Sequence, residues 1–302
     1  MHRIAHLYIL MFIGFFFSTE SAGQRPILDP FDWQGHRGCR GLLPENTIPA
    51  FLKALEFPVQ TLELDLAVSR EHRLIISHEP WFSSEICSHP DGKPVKKAEA
   101  QQLRIFEMTV QQIRAFDCGS RGNARFPQQQ PQPAYKPTLE EMVNAVKQWC
   151  FEHGRPMPQF NIEIKSRPDW DGVFCPPPEA FAQLVLEELT TLGIRDLAIV
   201  QSFDVRPLQA LHRLDPDIRI ALLVENLESP ENNIARLGFK PDVYSPYYLL
   251  LRKKHIRRLH REGIAVIPWT VNSVRMMKRL RRKGVDGIIT DYPNLIAEVE
   301  KN

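Results

Sequence analysis

Apolar and polar residues alternate along Thr61-Leu62-Glu63-Leu64-Asp65-Leu66-Ala67-Val68. Successive side chains of a strand face opposite ways, so Glu63 and Asp65 share one face and Leu62, Leu64 and Leu66 share the other. Phe160-Asn161-Ile162-Glu163-Ile164-Lys165 repeats the device, with Glu163 and Lys165 opposite Ile162 and Ile164. Upstream, an apolar start at Phe31 and Trp33 runs into Gly35-His36-Arg37-Gly38, a strand that ends abruptly in a glycine-bracketed loop. Leu74-Ile75-Ile76 is a third short strand, and it ends in Ser77-His78-Glu79. Between the first two strands, Ala50, Phe51, Ala54 and Leu55 recur at helical spacing, which makes a strand-helix-strand unit. Later candidate strands are Ala198–Ser202, Arg219–Val224, Val243–Ser245, Ala265–Val271 and Gly287–Thr290, most of them separated by helical stretches. This yields nine candidates for eight places, Val243–Ser245 having the weakest pattern. The alternation predicts an α/β protein, a (β/α)₈ TIM barrel with its site at the C-terminal strand ends.

Three stretches depart from that rhythm. Glu79 to Pro137 is rich in Gln, Pro and charge, too long for a barrel loop, and reads as an insertion over the site. It is followed by a predicted helix from Leu139 to Cys150, with Thr138 as N-cap and Glu141 completing a capping box. Arg252–Arg261 and Arg275–Lys283 are basic runs interrupted by Ile256, Leu259, Met276, Met277 and Leu280. They read as the solvated faces of amphipathic helices, contact with an anionic membrane being the functional alternative. Residues 1–23 combine His2 and Arg3, an apolar run from Ile4 to Phe17, and the small residues Ser21-Ala22-Gly23. That is the pattern of a signal peptide, which predicts an exported protein, periplasmic or secreted, with a mature domain over residues 24–302 and no stable membrane insertion after cleavage.

Lys and Arg number 38 against 36 Asp and Glu, a balance that argues against a nucleic-acid binder. Of five cysteines, an odd number, Cys87 and Cys118 are one possible bridge, and no CxxC pair or zinc-type cluster is present.

Glu63, Asp65 and Glu163 are hard oxygen donors suited to Mg²⁺ or Ca²⁺. His36 and His78 can move protons near neutral pH, and Arg37 and Lys165 can neutralise a phosphoryl group. Together they point to metal-assisted cleavage of a phosphodiester.

These residues carry a resemblance. Gly35-His36-Arg37-Gly38, Pro44-Glu45-Asn46-Thr47, Glu63-Leu64-Asp65, His78, Glu163-Ile164-Lys165, Gln201-Ser202-Phe203, Trp269-Thr270-Val271-Asn272 and Thr290-Asp291-Tyr292-Pro293 stand in one order along the chain. In this the chain resembles the glycerophosphodiester phosphodiesterase family. The resemblance implies a TIM barrel of the phospholipase-C-like phosphodiesterase type, with a small insertion after the third strand. It implies His36 and His78 as acid and base, and Glu63, Asp65 and Glu163 as ligands of a divalent metal. It further implies Arg37 and Lys165 as phosphate contacts, and Phe203 and Trp269 as walls of the substrate pocket. Where the family usually places Asp after the second histidine, this chain has Glu79. The competing readings are a phospholipase of the C or D type acting on intact lipids, and a barrel that binds phosphodiesters without cleaving them.

Overall fold

The structure is a computed structural model that describes residues 31–301; the predicted signal peptide lies outside them. Nine strands form one sheet. They are β1 Asp32–Gly35, β2 Thr61–Val68, β3 Leu74–Ile76, β4 Gln159–Ile164, β5 Ala198–Ser202, β6 Arg219–Val224, β7 Val243–Pro246, β8 Ala265–Val266 and β9 Gly287–Thr290. Eight pair in parallel in the order β8-β7-β6-β5-β4-β2-β1-β9. The ring closes through backbone hydrogen bonds from Asp286 to Val266, Ile289 to Pro268 and Val271 to Ile289, at 2.9, 3.1 and 2.9 Å. The fold is therefore a TIM barrel.

The candidate outside the ring is Leu74–Ile76, not the weakly patterned Val243–Ser245. β3 pairs antiparallel with β2, Leu66 opposite Ile76 and Val68 opposite Leu74. A turn of only Ser69 to Arg73 joins them, and so short a connection fits only an antiparallel hairpin. Val243–Pro246 keeps its place because both β6 and β8 pair with it. Barrel strand β8 is shorter than the predicted Ala265–Val271, since Pro268 has no N–H to add to the ladder.

Helices α1 (Ile48–Ala54), α3 (Leu139–Glu152), α4 (Pro178–Thr191), α5 (Val205–Leu214), α6 (Pro230–Leu237), α7 (Lys253–Arg261), α8 (Val274–Lys283) and α9 (Ile296–Glu300) follow the strands, and the short α2 (Val110–Arg114) lies between β3 and β4. The predicted capping box of α3 is present, Thr138 accepting from Glu141 N–H while the Glu141 side chain receives Thr138 N–H. In α7 and α8 the apolar residues Ile256, Leu259, Met277 and Leu280 are buried and the charged ones face outward.

The main core lies between strands and helices. Leu62, Leu64 and Leu66 point outward from β2 and are fully buried, as are Phe160 and Ile162 of β4. Each such side chain contributes about 1.5–3 kcal/mol on leaving water. The opposite faces of the same strands line the barrel interior, and there the residues are polar. Asp32, Gln34, Thr61, Glu63, Asp65, Asn161, Glu163 and Gln201 are all buried. An apolar layer of Ile199, Ala221, Val243, Ile267 and Ile289 fills the remaining interior.

Residues 77–137 pack around a second cluster, in which Phe82 stacks on Phe116 at 3.9 Å beside Ile86, Ile105 and Ile113. A disulfide joins Cys87 to Cys118 across a separation of 31 residues. Cys39, Cys150 and Cys175 are free and buried.

Candidate active site

At the C-terminal end of β1 the chain turns so sharply that a Cβ on Gly35 would stand 2.3 Å from the Gly38 carbonyl oxygen, so only glycine fits. Two residues near the turn occupy the left-handed region, Arg37 at φ 49° and Asn46 at φ 57°. Such conformations cost of order 1–3 kcal/mol and persist where surrounding contacts overdetermine them. Here the contacts are specific. Arg37 N–H donates to Glu63 Oε2 at 2.9 Å, its guanidinium to Glu45 Oε1 at 2.6 Å, and Asn46 Nδ2 to Asp65 Oδ2 at 2.8 Å.

Strand register assembles the acids. Asp65 is the Cα partner of Glu163 across β2 and β4. Glu63, Asp65 and Glu163 are buried and each offers an oxygen within 4.8 Å of the others'. Lys165 Nζ lies 3.0 Å from Asp65 Oδ1 and 2.7 Å from Glu163 Oε1, and Arg37 Nε lies 3.2 Å from Asp65 Oδ2. Lys165, Arg37 and the Asn46 hydrogen bond outweigh burial and hold the Asp65 carboxyl well below the usual range. Glu63 has no lysine or arginine within ion-pair distance among the described residues; its oxygens accept from Arg37 N–H and from Gln201 Nε2 at 2.9 Å. Burial first, then Asp65 and Glu163, push its carboxyl well above the usual value. Burial and Asp65 likewise push Glu163 up to about 7 against the pull of Lys165. Three buried carboxylates that share two cations, with Glu63 meeting neither at ion-pair distance, fit a bound divalent cation, and an all-oxygen donor set fits Mg²⁺ or Ca²⁺.

Both histidines stand beside this group. His36 Nδ1 is 2.5 Å from Asp291 Oδ1, and its Nε2 faces inward, 3.8 Å from Glu63 Oε2. Burial, reinforced by Arg40, lowers His36 to about 4, so the ring is neutral at pH 7. The antiparallel course of β3 brings the chain back toward the barrel mouth, where Ser77 N–H donates to the Asp65 carbonyl at 2.9 Å. His78 follows, half-buried, its Nδ1 2.8 Å from Glu79 Oε1. Glu79 thus reaches the ring from the adjacent position. Burial, Arg37 and Lys165 also lower His78. Cys39 is packing, fully buried, its thiol donating to the Ala50 carbonyl and pushed up to about 12 by burial.

A cleft of about 760 Å³ opens beside the acids, lined by His78, Glu163, Lys165, Trp81, Trp170 and Phe203 among others. Phe203 therefore forms one wall of this cleft. Trp269, partly exposed, stands edge-on to Phe203 at 5.4 Å, with its indole N–H on the Ser245 carbonyl at 2.9 Å.

Several site residues were not singled out from sequence. Asp291 holds His36, Arg40 and Asn272 together. Glu45 and Asn46 orient Arg37 and Asp65, although the motif that contains them was evident. Lys136, buried with its ammonium on Ser77 Oγ at 2.8 Å, carried no signal because it lies between Tyr135 and Pro137 in an irregular stretch.

A TIM barrel with two carboxylate-held histidines, three clustered acids and two buried cations at its mouth is that of a phosphodiester-cleaving enzyme. Known proteins agree. The profile of the glycerophosphoryl diester phosphodiesterase family matches residues 36–295. A glycerophosphodiester phosphodiesterase of Bacillus subtilis is 26% identical, covering 99% of this chain and 98% of its own. One from Caldanaerobacter subterraneus is 25% identical over 86% of this chain and 94% of its own. Among solved structures, that of a Silicibacter pomeroyi DSS-3 protein assigned to the same activity superposes with a TM-score of 0.78 at 27% identity, covering 89% of this chain and 92% of its own. The chain belongs to the glycerophosphoryl diester phosphodiesterase family and is a phosphoric diester hydrolase.

Proposed function

We propose that the chain hydrolyses small glycerophosphodiesters to an alcohol and glycerol 3-phosphate by proton transfer between His36 and His78, assisted by a divalent ion on Glu63, Asp65 and Glu163. The observation that carries this reading is the meeting of His36 Nε2 with the acidic trio while Nδ1 is fastened to Asp291. With Nδ1–H committed to a carboxylate, the Nε2 lone pair is free to act as a base.

Glu63, Asp65 and Glu163 would hold the divalent ion, which when bound would supply Lewis-acid stabilisation of the charge that builds on the phosphoryl group. The chain's own groups do the rest. Arg37 and Lys165 bind the phosphate anion beside the trio. The substrate's glycerol hydroxyl, held next to phosphorus, is an internal nucleophile, and such proximity removes much of the entropic barrier. His36 Nε2 takes the hydroxyl proton. His78 lines the cleft where the departing alcohol lies and returns a proton to its oxygen. Burial first, then Arg37 and Lys165, depress His78 in the free enzyme; a bound phosphate anion offsets part of the cations' share, so substrate binding favours His78 as the acid. Water then opens the cyclic phosphate with the roles reversed.

The test is a panel of glycerophosphodiesters assayed with Mg²⁺, with Ca²⁺ and with EDTA, and with His36→Ala and His78→Ala. Loss of turnover in EDTA, and a fall of about 10²–10⁴ in each variant, are expected. Full activity in metal-free protein removes the metal from the reading. Cleavage of intact phospholipid in preference to the panel replaces it with the phospholipase alternative.

A further inference from the structure

Seven large apolar side chains are exposed among the described residues, and four of them sit on the loops at the site's end of the barrel. Val173 follows β4, Phe203 follows β5, Leu227 follows β6 and Leu249 follows β7. Leu227 is 92% exposed and Leu249 62%. Chain topology puts all four on one face, because every parallel strand of a barrel ends at the same rim. Ring contacts connect part of that rim, from Phe203 to Trp269 at 5.4 Å, Trp269 to Tyr247 at 5.6 Å and Tyr247 to Tyr248 at 5.1 Å. Leu249 is the next residue. Soluble proteins scatter apolar residues singly, whereas successive loops that each carry one around a site mark an interaction surface.

The charge on these loops selects the partner. Arg252, Lys253 and Lys254 follow Leu249 at the start of α7, are exposed, and form no ion pair among the described residues. Arg167, on the loop after β4, adds a further cation to the same rim, its guanidinium over Trp170 at 5.2 Å. The acids of the same loops are largely used internally, Asp171 by Arg206, Glu228 by Arg236 and Glu231 by Arg258. Asp169 and Glu225 remain, fewer than the cations. Apolar and aromatic tips with basic residues just behind them match the layering of a bilayer surface, acyl boundary beneath anionic headgroups. No helix among the described residues is long and apolar enough to cross a membrane, so the contact is peripheral.

We propose that the barrel mouth docks on an anionic lipid surface, with Leu227 and Leu249 entering the headgroup layer and Arg252, Lys253 and Lys254 meeting lipid phosphates. The active site would then face the surface that sheds or contains glycerophosphodiester headgroups. Docking is independent of turnover, so it can stand or fall apart from the hydrolytic mechanism.

The experiment is co-sedimentation of the full mature chain with phosphatidylcholine vesicles, with and without phosphatidylglycerol. Binding to the anionic vesicles alone, weakened by high salt, is expected. The pair Leu227→Asp with Leu249→Asp should bind roughly tenfold more weakly, as should Lys253→Glu with Lys254→Glu. Both should turn over a soluble glycerophosphodiester as the wild type does. Failure of the wild type to bind anionic vesicles at low salt overturns the proposal, as does equal binding by the variants. A lipid-free dimer that Leu227→Asp with Leu249→Asp dissolves also overturns it, by assigning the rim to a second copy of the chain.

Discussion

Replacing Asp291 by Asn removes one charge at almost constant volume and tests whether the His36 ring depends on it. Asp291 Oδ1 lies 2.5 Å from His36 Nδ1 and 2.6 Å from Arg40 Nε, while Oδ2 lies 2.6 Å from Asn272 Nδ2. The carboxylate accepts all three. An asparagine offers one acceptor oxygen and one NH₂, so it cannot satisfy Arg40, His36 and Asn272 together. With its oxygen kept on Arg40 or Asn272, the NH₂ meets His36 and moves the ring proton to Nε2, the atom that should be bare. The structural cost is the weakening of two charge-assisted hydrogen bonds worth about 1.5–3 kcal/mol each, only part of which is lost because one acceptor remains, hence about 2 kcal/mol. The kinetic cost is larger, since the full general-base contribution of about 10²–10⁴ is at stake. Unfolding in urea gives the first figure. Steady-state turnover, with binding of a non-hydrolysable phosphonate analogue, gives the second. The expectation is a fall in kcat with analogue affinity largely kept, because Arg37 and Lys165 are untouched. A folded Asp291→Asn enzyme that turns over near the wild-type rate refutes the argument that Asp291 sets the His36 tautomer.

Three further outcomes follow from the same structure. His36 is lowered from 6.5 to about 4 by burial, so the unfolded chain takes up a proton first as pH falls below 6.5, and stability declines toward pH 4 by roughly 3 kcal/mol from this ring; urea unfolding of EDTA-treated protein at pH 7 and pH 4.5 should show a shallower loss in His36→Gln, and an equal slope contradicts it. Cys87 and Cys118 close a loop across 31 residues, so Cys87→Ser with Cys118→Ser should cost about 3–4 kcal/mol by loop-closure entropy; an unchanged unfolding midpoint argues against the bond stabilising the fold. Export is the remaining proposal, supported by the pattern of residues 1–23 and by a disulfide of the kind that persists in oxidising compartments; mass spectrometry of exported protein should find an N-terminus near Gly23 or Gln24, and an intact N-terminus would count against cleavage.

The face each residue occupies was legible along the chain. Period-two alternation is a local property of strand geometry, so Glu63 with Asp65 and Glu163 with Lys165 were placed correctly before any neighbour was known. The barrel class followed from repeated strand-helix units, and the motif order located His36, Arg37 and His78. Which strand pairs with which, and in what register, depends on the packing of the whole ring, and no short window contains that information. The ring therefore decided that Leu74–Ile76 turns back as a hairpin while Val243–Pro246 stays in the barrel. Register decided that Asp65 lies opposite Glu163. Closure of the barrel brought Asp291 onto His36 across 255 residues. Local periodicity says which way a side chain points; only the closed sheet says what it meets there.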